Sequence, residues 1–139
     1  MQASLAIENV RDSWFTRFFA IDYASHFDVL LLGWSRLHLP MPLGGTSNHF
    51  RAQALRKAGG WDAWNVTEDA DLGLRLARLG CEARMLASTT WEEAPRDLAN
   101  WLPQRRRWMK GWMQTCLTHT RRPFHLWHEL GFLRATHIL

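Results

Sequence analysis

Two short runs in this sequence hold side chains whose types and spacing could do chemistry. The first, Val66-Thr67-Glu68-Asp69-Ala70-Asp71, places three carboxylates where an apolar helical pattern begins. A carboxylate fixed at a helix start can accept the proton of a hydroxyl as a general base. The helix end lowers its pKa, while burial and neighbouring acids raise it. Acids also collect at helix starts for stability alone. Thr67 or Asp69 can cap exposed amides there, and the helix dipole favours each negative charge by roughly 0.3–1 kcal/mol. The second run is Gln104-Arg105-Arg106-Arg107-Trp108. On a helix, Gln104, Arg107 and Trp108 share a face, and Trp112 follows Trp108 one turn later. Guanidinium holds phosphate oxygens through paired hydrogen bonds. Indole offers a flat apolar face with one N–H for a wet cleft. Together they suit a ligand with a diphosphate at one end and a ring at the other. Three arginines in a row also fit a solvated or membrane-surface or nucleic-acid patch, and a tryptophan pair four apart also fits a core.

The elements around these runs follow from periodicity and punctuation. Leu5 to Leu37 reads mainly as helix, because Ile7, Val10, Trp14, Phe18 and Ile21 draw one apolar stripe. Pro40-Met41-Pro42-Leu43-Gly44-Gly45 stops it. Thr46 to Phe50 reads as a short strand, and Ala52 to Ala58 as a short helix closed by Gly59-Gly60. Ala70 to Leu79 is a helix with Leu72, Leu76 and Leu79 on one face and Gly80 as its left-handed stop. Glu82 to Ala87 then reads as a strand, Ser88-Thr89-Thr90 as a turn, and Pro103 to Leu117 as a helix with proline at its first position. Alternating helices and short strands make an α/β piece.

Composition narrows the function classes. The chain has 139 residues, 47% of them hydrophobic and 22% charged, enough for a packed core. Cys81 and Cys116 are too few for a disulfide scaffold or an all-cysteine zinc site. His125 and His128 stand at i, i+3 without a third ligand, so no metal site is expected from them. Fifteen arginines and two lysines give a net charge of +4. No run approaches the roughly 20 apolar residues of a membrane span. Met1 to Val10 carries Glu8 and no basic stretch, so no secretory signal is expected.

Four segments occur together in a characteristic order: Gly44-Gly45-Thr46-Ser47-Asn48-His49-Phe50, then Gly59-Gly60-Trp61-Asp62, then Thr67-Glu68-Asp69, then Gln104-x-x-Arg107-Trp108. In this they resemble the processive family 2 glycosyltransferases, the group of cellulose, hyaluronan and chitin synthases, and bacterial cellulose-synthase-like members most of all. Glu92-Glu93-Ala94-Pro95 also looks like the bacterial members. The resemblance implies the acceptor-side half of an A-type glycosyltransferase (nucleotide-diphospho-sugar transferase) fold, helix-rich with short strands. It implies Asp69 as the catalytic base, with Thr67 and Glu68 shaping that turn. Gln104, Arg105 and Arg107 would hold the donor diphosphate. Trp108 would stack the acceptor sugar, with Gly45, Thr46, Ser47 and Asn48 beside it. The implied reaction moves a sugar from a nucleotide-diphosphate sugar to a growing polysaccharide, inverting the anomeric carbon.

The family's upstream D-D-G and D-x-D segments have no counterpart here, since Asp69-Ala70-Asp71 is the only pair at that spacing and belongs to the acidic turn. Residues 1–123 are therefore expected to be a partial catalytic domain lacking the nucleotide-binding half. Residues 124–139 would be an interfacial apolar helix or the lead-in to a membrane segment. The resemblance further implies a divalent metal (Mg or Mn) with ligands outside this chain, and a full-length protein on the cytoplasmic face of the bacterial inner membrane. Its partners would be a nucleotide sugar, a polysaccharide and the membrane, not nucleic acid. Two other readings stay open. A basic, tryptophan-rich module would bind membrane surface or single-stranded nucleic acid in a salt-dependent way, and a truncated remnant would be inactive.

Overall fold

A computed structural model of the chain describes residues 1–138. Ala3, Leu5 and Ile7 are buried between half-buried Ser4 and Ala6, so the first segment follows a period of two and forms a strand, β1 (Gln2–Ile7). This corrects the helix expected from Leu5. The helix instead starts at Trp14, where the Ser13 hydroxyl accepts from the Thr16 amide at 3.2 Å and the Thr16 hydroxyl accepts from the Ser13 amide at 3.0 Å. That capping box fixes the start of α1 (Trp14–Ala24). The expected stripe thus straddles strand, loop and helix, and its helical members Trp14, Phe18 and Ile21 face outward. Phe19 points inward instead, with half-buried Phe15 and Tyr23 one turn to either side. A π-helical stretch, Ser25–Leu31, continues into α2 (Leu32–Arg36).

Thr46 to Phe50 does not form a strand. Ser47 has φ 55°, which breaks an extended run, and Asn48 makes a single bridge to Gln2. Helix α3 (Ala52–Lys57) ends at Gly59 and Gly60, both at positive φ, and α4 (Glu68–Arg78) stops at Gly80, φ 75°. Both ends agree with expectation, and α4 begins two residues before Ala70. The second strand, β2 (Met85–Glu92), runs through the expected Ser88–Thr90 turn. Its β-branched threonines suit a strand, and Thr89 and Thr90 pair with Ser4 and Leu5. β1 and β2 are parallel, with Ala87 and Ser88 looped out between the pairs Ala3–Leu86 and Ser4–Thr89. The crossover between them carries α1 through α4.

Helix α5 (Leu98–Thr120) starts before its expected proline, because Asp97 caps it through the Asn100 amide at 2.9 Å. Pro103 therefore lies inside the helix and removes one amide donor rather than opening the first turn. The main core joins Leu5, Phe27, Leu31, Met41, Leu43, Leu72 and Leu76 across strand, π-helix and α4. The apolar C-terminal segment forms two short helices, α6 (Pro123–Leu130) and α7 (Phe132–Thr136), on either side of Gly131. Leu126, Leu130 and Ala135 pack on Ala77 of α4, while Phe124, Phe132 and Leu133 stay exposed. Among the described residues no helix is long and apolar enough to cross a membrane.

Candidate active site

The acidic turn is seated by α5 rather than by its own cap. Thr67 is the N-cap residue of α4 but its side chain caps no amide. Its buried hydroxyl meets the Thr115 hydroxyl at 3.1 Å, and Asn65 donates to the same Thr115 oxygen at 2.9 Å. One turn earlier on α5, a Cβ on Gly111 would stand 2.5 Å from Thr67 Cγ2 and 2.9 Å from the Thr67 amide nitrogen. Only glycine lets the two backbones come this close. One turn later, His119 Nε2 lies 2.9 Å from Asp71 Oδ1, and both side chains are buried. Arg75 Nε holds the other Asp71 oxygen at 2.6 Å. Arg78 reaches His119 Nδ1 at 3.2 Å, which leaves Nε2 as the protonated nitrogen donating to Asp71. Positions 111, 115 and 119 thus form one face of α5 locked onto α4. That register carries Arg107 and Trp108, one turn earlier, to the side of the acidic turn.

Between them opens a cleft of about 500 Å³ at the C-terminal end of the parallel strand pair, the end where open α/β sheets bind ligands. Its walls bring together Thr67, Glu68 and Asp69 from the acidic turn, Gly45 and Thr46 from the glycine-rich segment, and Arg105, Arg107 and Trp108 from α5. Three expected site residues lie off this wall. Ser47 bonds Thr90 hydroxyl to hydroxyl at 2.5 Å, and Asn48 donates to the Gly44 carbonyl at 2.5 Å, so both shape the loop. Gln104 is half-buried, with its amide oxygen unpartnered inside the fold. The loop is also gripped from β1: the Gln2 side chain accepts from the Gly44 amide at 2.8 Å and donates to the Thr46 carbonyl at 3.0 Å.

The three consecutive arginines have different surroundings. Arg105 pairs with Asp22 at 2.7 Å and lies over Phe19, Trp108 and Trp101, with centroid distances of 4.6, 5.1 and 5.4 Å. Arg106 and Arg107 are exposed and in no ion pair among the described residues, and Arg107 faces the cleft with its charge free. Trp108 packs on Phe19 at 5.9 Å and lines the cleft beside Trp112. Burial pushes the Asp69 carboxyl above its ordinary pKa, with Glu68 adding to the rise and the Ala70 amide, at 2.7 Å, opposing it. Burial also works to raise Asp71, but His119 and Arg75 outweigh it and hold that carboxyl below its ordinary value.

The walls also carry residues that sequence reasoning missed: Asp22, Tyr23 and His26 from the first helical segment, and Glu92 from the end of β2. They lie far from the acidic turn in sequence, and no short spacing joins them to it. Gly111, Thr115 and His119 did leave a signal, a four-residue repeat of small, hydroxyl and imidazole side chains. No group of three His, Cys, Asp or Glu side chains among the described residues is placed to hold a metal ion. The cleft carboxylates do not by themselves fit the divalent ion that the resemblance implies.

The family model for glycosyl transferase family group 2 matches residues 1–138. A Bacillus subtilis (strain 168) protein named probable glycosyltransferase YdaM is 38% identical over 68 residues, 48% of this chain and 16% of its own length. Two proteins of Oryza sativa subsp. japonica are named probable glucomannan 4-beta-mannosyltransferase 3 and 6. The first is 30% identical over 112 residues, covering 80% of this chain and 20% of that protein. The second is 32% identical over 104 residues, covering 74% and 18%. The chain thus spans a fifth or less of the curated relatives it matches.

Proposed function

The chain belongs to glycosyl transferase family group 2, and from that premise we propose that it is the acceptor-side part of an inverting polysaccharide glycosyltransferase with Asp69 as general base. The observation that carries this reading is the shared cleft of Asp69, Arg107 and Trp108. In the proposed reaction an acceptor hydroxyl gives its proton to the Asp69 carboxylate while its oxygen attacks the anomeric carbon of the donor sugar. The bond from that carbon to the diphosphate oxygen breaks, and the electron pair leaves with the nucleoside diphosphate. One displacement on the opposite face inverts the carbon. The free guanidinium of Arg107 faces the charge that grows on the leaving group. Trp108 and Trp112 offer indole faces to the sugar rings, and the raised Asp69 pKa makes its carboxylate a stronger base. Gln104 would act from behind this wall, and Arg105, on it and paired with Asp22, would order the helix that presents Arg107. The names of the rice relatives make β-1,4-mannosyl transfer the first activity to assay. Residues 124–139, with Phe124, Phe132 and Leu133 exposed, would lead the domain toward a membrane, in the full-length protein at its cytoplasmic face.

The test joins residues 1–138 to the donor-binding part of a family 2 glycosyltransferase and measures transfer from nucleoside-diphosphate sugars to oligosaccharides. Asp69→Asn should lower kcat by about 10²–10⁴-fold with little change in donor binding. Undiminished transfer by that variant would remove Asp69 from its role. A product that keeps the donor's anomeric configuration would overturn the single displacement.

A further inference from the structure

Four carboxylates line the cleft, from Asp22, Glu68, Asp69 and Glu92. Asp22 is neutralised by Arg105. Outside the cleft, Asp71, Glu82 and Glu129 each have an arginine partner. Glu92 has no ion pair among the described residues, yet it is not a loose surface acid. It is half-buried at the end of β2, where Ile7 of β1 fixes its backbone as a pairing partner. Its Oε1 accepts from the Thr46 hydroxyl at 2.6 Å, and the Tyr23 hydroxyl approaches Oε2 at 3.4 Å. Two neutral donors orient the group without cancelling its charge. A carboxylate has about four lone-pair sites, so acceptor capacity remains toward the cleft.

The position relative to Asp69 gives this carboxylate a use. Thr46, which holds Glu92, follows Gly45, where a Cβ would stand 3.3 Å from Asp69 Oδ2. The two carboxylates therefore lie against consecutive residues, whose α-carbons are about 3.8 Å apart, on the walls of one cleft. The geometry points to Glu92 as a specificity-determining residue of the acceptor site. It accepts a hydrogen bond from a second hydroxyl of the sugar whose attacking hydroxyl faces Asp69, and Thr46 and Tyr23 aim it. A neutral polyol suits this site, because its hydroxyls donate to a fixed carboxylate without requiring a cation. An anionic acceptor sugar would be repelled.

This inference rests on the glycosyl-transfer reading, and the experiment separates the two. In the joined enzyme, with a β-1,4-linked manno-oligosaccharide as probe acceptor, Glu92→Gln should raise the acceptor KM about tenfold or more, as expected when a charged hydrogen-bond acceptor is neutralised. The donor KM and kcat should stay near wild type. Tyr23→Phe, which keeps the charge and loosens its aim, should raise the acceptor KM by less. Among monodeoxy acceptors, one should lose binding to the wild type and lose no more with Glu92→Gln. If Asp69→Asn abolishes transfer while Glu92→Gln leaves the acceptor KM unchanged, Glu92 has no part in acceptor choice. Equal losses with every deoxy acceptor, or a donor KM that rises in step, would also overturn the inference. Wild-type transfer that survives Asp69→Asn would instead overturn the reading beneath it.

Discussion

The role proposed for Asp69 and the stability of the fold that presents it oppose each other. Burial raises its pKa, so the folded state holds the carboxyl proton more tightly than the unfolded chain does. Its effect on stability is therefore most favourable below the ordinary carboxylate range and is lost as pH rises through the raised pKa. At neutral pH the ionised group destabilises the fold that presents it. Asp69→Asn removes that charge, and its melting temperature at pH 7 should exceed that of the wild type, with the difference vanishing in acid. Thermal denaturation of both proteins across pH measures this, and an equal or lower melting temperature for the variant at pH 7 would contradict the burial argument. The rate should show the same pKa from the other side. In the proposed role Asp69 must be ionised to accept the proton, so kcat/KM should fall with acid along a limb centred above the usual carboxylate range.

At the scale of elements, the cleft depends on how closely α4 and α5 approach. Gly111→Ala would push a methyl group against the Thr67 backbone, which cannot rotate away as a side chain can. Overpacking of this kind costs typically 1–3 kcal/mol. Because the strain falls on the acidic turn, transfer should drop by about 10²-fold, the expected effect of misplacing a reacting group by an ångström. Denaturant melts and kinetics on the same variant check both effects, and unchanged kinetics would show that the turn is positioned by other contacts. Asp71 acts at the far end of the same interface. Its pKa is lowered by His119 and Arg75 against its own burial, so its contribution holds above the ordinary carboxylate range and is lost as pH falls through the depressed pKa. Asp71→Ala leaves Arg75 and His119 without their partner and should cost about 3–5 kcal/mol at neutral pH. A urea titration should show that deficit shrinking toward the acid end.

Across the whole molecule, what was legible in the sequence was what the chain keeps local. Thr67-Glu68-Asp69 and Arg107-Trp108 are short runs, and α3 and α4 carry their stops beside them in Gly59, Gly60 and Gly80. The β1–β2 pairing spans a crossover of four helices, so nothing near Ser88-Thr89-Thr90 announces its partner, and Glu92 reaches the cleft only through that pairing. The apolar stripe on α1 was legible as a face, but its burial was not, because α1 is apolar on two sides and the fold covers only the side of Phe19. Trp14, Phe18 and Ile21 are left 72%, 64% and 63% exposed along one face. Contiguous apolar surface of this kind drives association when nothing covers it. The 139-residue chain by itself should therefore self-associate in dilute buffer, and Phe18→Glu combined with Ile21→Lys should keep it monomeric. Because both side chains point to solvent, their replacement should change stability by no more than about 0.5 kcal/mol each. Light scattering and thermal melts on the two proteins decide the matter. A monomeric parent would show that this face drives no association, and a large fall in melting temperature would show that α1 packs with the opposite face inward.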